Sequence, residues 1–225
     1  MYWVFDTMIK FMAKKDLFKG LIAGFFMGLF FIPVLENLEL SIQQTFPWFQ
    51  ASNFYFLPLG IPILIAIWLY FTSWIGKRRS VFFQIGKFVT VGSLNASIYL
   101  GLLNLLMLIT WVDARNTYLY AFFVAVCALI SICNSYFWNK VWTFKKELKL
   151  EGKEFLKFLF VSGIGIAINM AITLLFAKII GPMIGAQGSI LSGLIAPVIG
   201  ILVEAIWNFT IYKFFIFKHV QLSLI

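Results

Sequence analysis

Histidine occurs once in this chain, cysteine twice and acidic side chains nine times among 225 residues. Each scarcity excludes a class of function. A single histidine, His219, builds neither a His-based metal cluster nor a His-centred catalytic triad. Cys127 and Cys133 share one apolar run at a spacing that sets them on different helix faces. They read as packing residues, with no disulfide and no metal site. No acid pair stands at a useful spacing, and no nucleophile has a base partner, so enzyme activity is not expected. The stretch "GIGIAI" (163–168) lacks a third glycine and a strand before it, so no dinucleotide cofactor is implied. Asn95-Ala-Ser97 and Asn208-Phe-Thr210 match the glycosylation sequon but fall inside apolar runs. No cleavable signal peptide is expected: the first apolar run begins near residue 20, behind Lys14, Lys15 and Lys19, without an A-x-A-like site.

Charge itself is scarce. Charged residues make up 12% of the chain, against roughly 25% in soluble domains. Hydrophobic residues make up 62%, with 27 Phe and 8 Trp. Several apolar runs approach the roughly 20 residues that carry a helix across a bilayer. An all-α polytopic membrane protein follows, with six spans predicted at about 18–37, 57–76, 84–109, 117–139, 155–179 and 189–212.

The flanks give the expected orientation. Lys10, Lys14, Lys15 and Lys19 precede the first span, and Lys77, Arg78, Arg79 and Lys87 surround the start of the third. Lys140, Lys145, Lys146, Lys149, Lys153 and Lys157 fill the fourth connection, and Lys213 and Lys218 follow the last span. Sixteen of the 18 basic residues therefore share one side, and only Arg115 and Lys178 lie on the other. Under the positive-inside rule both termini are cytoplasmic. The net charge of +9 is then a matter of topology and anionic lipid, and nucleic acid is not an expected partner. The first 16 residues space Val4, Met8, Phe11 and Met12 against Asp6, Thr7, Lys10 and Lys14, which suits an amphipathic helix on the inner surface. The uncharged loop 41–56 is expected outside, with its aromatics at the headgroups. Gly20, Gly24 and Gly28 form a small-xxx-small series that lets helices approach closely.

The second half repeats itself. "KFVTVGSLNASIYLGLLNLL" (87–106) aligns with "KFLFVSGIGIAINMAITLLF" (157–176) at an offset of 70, and "SYFWNKVWTFK" (135–145) aligns with "NFTIYKFFIFK" (208–218) at 73. Each copy holds two spans, so the copies are parallel repeats (84–145 and 155–218), with a site expected between the halves. Residues 1–80 have no copy and read as a two-helix extension to this four-helix core, 83–218.

The pattern F-x-x-V-G-x-L-N opening a span, with N-K-x-W-T-F closing the next, resembles the GtrA-like family, also called the GtcA/GtrA teichoic acid and O-antigen glycosylation family. It stands here as Phe88, Val91, Gly92, Leu94 and Asn95, then Asn139, Lys140, Trp142, Thr143 and Phe144. The second copy keeps Phe158, Val161, Gly163 and Asn208, then Lys213 and Phe217. The chain departs from the usual form at Val141 in the first copy, where a second basic residue is common, and at Tyr212 in the second, where Asn is common. The resemblance implies a bacterial inner-membrane protein that moves a polyprenyl-phosphate-linked sugar across the bilayer for cell-surface polysaccharide or teichoic acid glycosylation. It also implies an alternative, a non-transporting partner of a membrane glycosyltransferase, because such domains occur fused to polyprenyl-phosphate mannosyl synthases. Expected partners are thus the sugar-lipid, the bilayer, a glycosyltransferase and a second copy of the chain; no cofactor is implied.

Within the core, Ser131, Ser135 and Asn139 pair by the offset of 73 with Glu204, Asn208 and Tyr212. Both sets run i, i+4, i+8 and form a polar stripe along one helix face. Glu204 is the only acid placed deep within a predicted span, Glu36 lying at the end of the first, and an isolated charge at such depth costs at least about 2.5 kcal/mol. The stripe is either interhelical glue or a track for sugar hydroxyls, which Asn95, Tyr99 and Asn169 would complete. Pro197 and Gly200 near mid-span would allow a kink. Lys87, Lys140, Lys157 and Lys213 occupy equivalent inner ends and are the expected phosphate contacts, while Trp138 and Trp142 read as interfacial anchors. A lone intramembrane carboxyl also leaves open a third function, a small proton-coupled exporter.

Overall fold

Apolar side chains surround each of these segments, and a bilayer offers the backbone no water, so helix is the conformation that satisfies every peptide group. A computed structural model describes residues 12–77, 79–112, 116–146, 151–180 and 190–217, and all six expected spans are helical. They are α1 (Lys14–Gln43), α2 (Leu57–Gly76), α3 (Ser80–Thr110), α4 (Thr117–Trp138), α5 (Gly152–Leu175) and α6 (Ile190–Ile211). Among the described residues six helices are long and apolar enough to cross a membrane, with mean hydropathy between 1.5 and 2.2. The predicted spans are shorter than the helices at several ends. α1 starts at Lys14 and runs 30 residues to Gln43, about 45 Å at 1.5 Å per residue, so it includes part of the predicted loop 41–56. Hydropathy misses such ends because polar residues at helix termini are still helical. The predicted amphipathic segment falls largely on residues 1–11, outside the described residues.

The chain divides into two compact units, residues 1–145 and 146–225. The first contains α1 to α4. Its organising strip is the glycine series: a Cβ on Gly24 would lie 2.6 Å from the Pro62 Cα, and one on Gly28 would run into the Leu57–Pro58 peptide. α1 therefore meets α2 almost backbone to backbone, which is what the small residues are for. The other side of α1 packs on α3, where Gly101 leaves room for Phe30. Ala23, Met27, Leu94 and Ile98 form the core there. Leu103, Phe123 and Cys127 form a second cluster between α3 and α4. Cys127 is buried in it while Cys133 faces outward. The extension thus packs directly on the first repeat.

The second unit pairs α5 with α6, and at its start Lys146 meets Glu154 in an ion pair. Both α4 and α6 end in a π turn, Asn139–Thr143 and Tyr212–Ile216. Each is closed by the same i+5 bond, Phe144 N–H to Asn139 O at 2.9 Å and Phe217 N–H to Tyr212 O at 2.8 Å. A third π turn, Phe176–Ile180, follows α5.

Candidate functional site

Glu204 sits within α6, and two amides hold it. Asn169 Nδ2 of α5 donates to its Oε2 at 2.7 Å, and Asn208 Nδ2 donates to its Oε1 at 3.4 Å. Thr173 Oγ1 donates to Asn169 Oδ1 at 3.2 Å, extending the chain by one turn. Both carboxylate oxygens accept, so the desolvation cost that an apolar span imposes on this group is offset by hydrogen bonds. Glycines clear the space. A Cβ on Gly165 would stand 2.6 Å from Asn208 Oδ1, and one on Gly200 would overlap Asn169. Asn208 Oδ1 is buried with no hydrogen-bond donor on it. Toward the chain end the ladder continues: Trp207 Nε1 donates to Val161 O at 3.3 Å, and Tyr212 OH lies 2.6 Å from Ser162 Oγ. Tyr212 also stacks on Phe158 with ring centroids 4.5 Å apart. Glu204, Asn208 and Asn169, selected from sequence, therefore form one network.

The equivalent face of the first repeat is assembled differently. Ser131 Oγ donates to the Asn95 carbonyl at 2.9 Å, and Asn134 Nδ2 donates to Asn95 Oδ1 at 2.6 Å. Asn139 Nδ2 bonds back to Ser135, with the carbonyl at 2.9 Å and the hydroxyl at 3.3 Å. Ser131 is thus joined to Asn95 and Asn139 to Ser135, as two separate pairs, and Tyr99 belongs to neither. It packs against the apolar cluster of Leu103, Phe123 and Cys127. Asn134 escaped the sequence reading because the i, i+4 stripe passes over it, although i+3 lies on the same face. It lines a cavity of about 200 Å³ with Phe26, Phe30, Leu94, Ile98 and Trp138. The π turn beyond leaves Asn139 Oδ1 and Thr143 Oγ1 buried and without hydrogen-bond partners.

The four lysines expected at the inner helix ends occupy unlike environments. Lys157 is exposed and Lys213 half-buried, the latter with its ammonium 5.6 Å from the Phe209 and Phe214 rings. Lys140 is buried, donates to Tyr136 OH at 3.1 Å and lies 5.3 Å from that ring. Lys87 is also buried, and its Nζ is 2.7 Å from Asp16 Oδ1. The same oxygen accepts the indole N–H of Trp142 at 2.8 Å. Trp142 is therefore a buried hydrogen-bond donor, 1% exposed, and the expectation of an interfacial anchor is corrected for it. Trp138 packs edge-on against it, with centroids 5.4 Å apart. Nothing in the sequence marked Asp16, whose partners lie 71 and 126 residues away.

Six long apolar helices among the described residues, with polar side chains that bond across the helix pair of each repeat, define a multi-pass helical membrane protein. Residues 87–217 match the family described as GtrA/DPMS, transmembrane domain, and the chain belongs to it. Comparison with curated proteins and with solved structures returns no match. The matched region opens at Lys87 and closes at Phe217, the limits of the repeated motif. Membership points to a membrane function concerned with polyprenyl-phosphate sugars.

Proposed function

We propose that the protein is a non-enzymatic flippase, carrying a polyprenyl-phosphate-linked sugar across a bacterial inner membrane with both chain termini in the cytoplasm. The observation that supports this most is the Glu204 network. A carboxylate held by two amides, on a face cleared by Gly165 and Gly200, offers the acceptors and donors that sugar hydroxyls need once water is left behind. Asn169 and Asn208 would exchange their bonds to Glu204 for bonds to the headgroup, and Asn208 Oδ1 adds an acceptor that nothing else uses. Lys157 and Lys213, the more open of the inner cations, would receive the phosphate. Translocation of a fluorescent sugar-lipid in liposomes, normalised to folded protein, tests this. Glu204→Gln is expected to keep part of the rate and Glu204→Leu to abolish it. Full turnover by the Leu variant would sink the reading, and equal loss in both would favour proton-coupled export.

Orientation has its own test. A Leu148→Cys variant in intact cells is expected to resist an impermeant thiol reagent applied from outside and to react after permeabilisation.

A second reading, an accessory subunit for a glycosyltransferase, draws on the first repeat, where Ser131, Asn134 and Asn95 are spent on one another. On that reading the polar-face variants keep activity, and substitutions on the cytoplasmic surface lose it.

A further inference from the structure

The Asp16–Lys87–Trp142 cluster has no role in the network around Glu204. Its two donors and its acceptor come from different parts of the chain. Lys87 and Trp142 lie within the family match, 87–217. Asp16 lies in the first turn of α1, which the match does not include. Remove that one carboxylate and the shared domain presents a buried ammonium and a buried indole N–H converging on one point, 2.7 and 2.8 Å away. Lys87 is 2% exposed, and an unpaired cation at that burial is strongly disfavoured. The charged form of Lys87 therefore requires an anion beside it. Only one oxygen of Asp16, Oδ1, makes both bonds, and a terminal phosphate oxygen can accept the same pair. The second repeat lacks the arrangement: Lys157 is exposed, and Phe215, in the place of Trp142, has no N–H and is 73% exposed.

The geometry points to a phosphate oxyanion site formed by Lys87 Nζ and Trp142 Nε1, which Asp16 fills until a phosphate displaces it. This rests on the polyprenyl-phosphate reading above and names a second station for that ligand. Displacement is a local rearrangement at the start of α1. Asp16 is buried in the first helical turn with its N–H on the Ala13 carbonyl at 2.8 Å, beside Met12 and Leu17 of the core, so its carboxylate swings out about its own side-chain torsions while Gly20, Gly24 and Gly28 keep the rest of α1 seated on α2. Lys87 keeps a counter-charge throughout, and its ammonium stays 4.4 Å from the Phe83 ring.

The full chain in phosphatidylcholine nanodiscs, labelled with 5-fluorotryptophan, allows the test. The Trp142 fluorine line is assigned with Trp142→Phe, and farnesyl phosphate is titrated against farnesol and inorganic phosphate. Farnesyl phosphate is expected to shift the Trp142 line saturably, and farnesol to leave it unmoved. Asp16→Asn should tighten binding about tenfold, because an internal competitor that fills nine-tenths of a site weakens apparent affinity by that factor. Adding Lys87→Gln should erase the gain. The same shift and gain with inorganic phosphate would support the site with a free anion as ligand. A Trp142 line that ignores saturating farnesyl phosphate, or an Asp16→Asn affinity equal to wild type, overturns the proposal. If Asp16→Asn does not fold, Lys87→Gln decides, since a shift that survives it also overturns the site. Sugar-lipid translocation lost in Glu204→Leu while the Trp142 line stays silent would remove this inference alone. A responsive Trp142 line with Glu204→Leu fully active would remove the flippase reading instead.

Discussion

In the first repeat, a serine hydroxyl and an asparagine amide bridge α3 and α4 through Asn95; in the second, the corresponding stripe carries a carboxylate that gathers two amides between α5 and α6. Duplication supplied the same scaffold twice, and the side chains then diverged. Neutral rungs hold helices together and tolerate loss. A charged rung is costly wherever it is unmatched, so its neighbours are fixed by it. The lysine-bearing ends differ in the opposite sense, with Lys87 paired to Asp16 and Trp142 buried in the first copy and exposed Lys157 and Phe215 in the second.

The largest expected break in this comparison is Glu204→Leu against Ser131→Ala. The first strands two amide donors at roughly 1–3 kcal/mol each, enough for about a hundredfold loss of translocation. The second removes one interhelical bond of about 0.6 kcal/mol and should leave the liposome rate within about twofold. Next comes the inner end. Trp142→Phe removes a hydrogen bond to a charged acceptor and should cost about 1.5–3 kcal/mol, whereas Phe215→Leu on the outer face should stay within about 0.5 kcal/mol. Unfolding in mixed micelles measures both, and equal effects would erase the distinction between the copies. The smallest contrast sets two glycines of α5 apart. Gly165→Ala drives a methyl into Asn208 and is expected to cost about 1–3 kcal/mol. Gly163→Ala meets nothing within 4 Å and should be neutral or stabilising by up to about 1 kcal/mol. Thermal melts decide the order.

Hydropathy alone places the six helices, because a bilayer leaves apolar segments no other backbone solution. The α1–α2 contact is equally plain in the sequence, since glycines four apart on a helix form a strip with one obvious use. The Glu204 network was within reach too: the offset aligned the stripes, and helical spacing put Glu204 and Asn208 one turn apart. Asp16 was not. It sits among lysines in a stretch that reads as surface, and its value depends on Lys87 and Trp142, which no local pattern connects to it. Tyr99 failed for the reverse reason, since helix periodicity gives a face but not which neighbour that face meets.

The matched π turns also bear on history. One i+5 bond at a helix end can arise by a chance insertion of a residue. Two of them, at Asn139–Phe144 and Tyr212–Phe217, separated by the same offset as the surrounding motif, are most simply one event copied. The turn is then shared by the two copies although the side chains on it differ, Asn139 against Tyr212 and Trp142 against Phe215. The backbone of that end is what the two copies hold in common, and the chemistry on it is where they part.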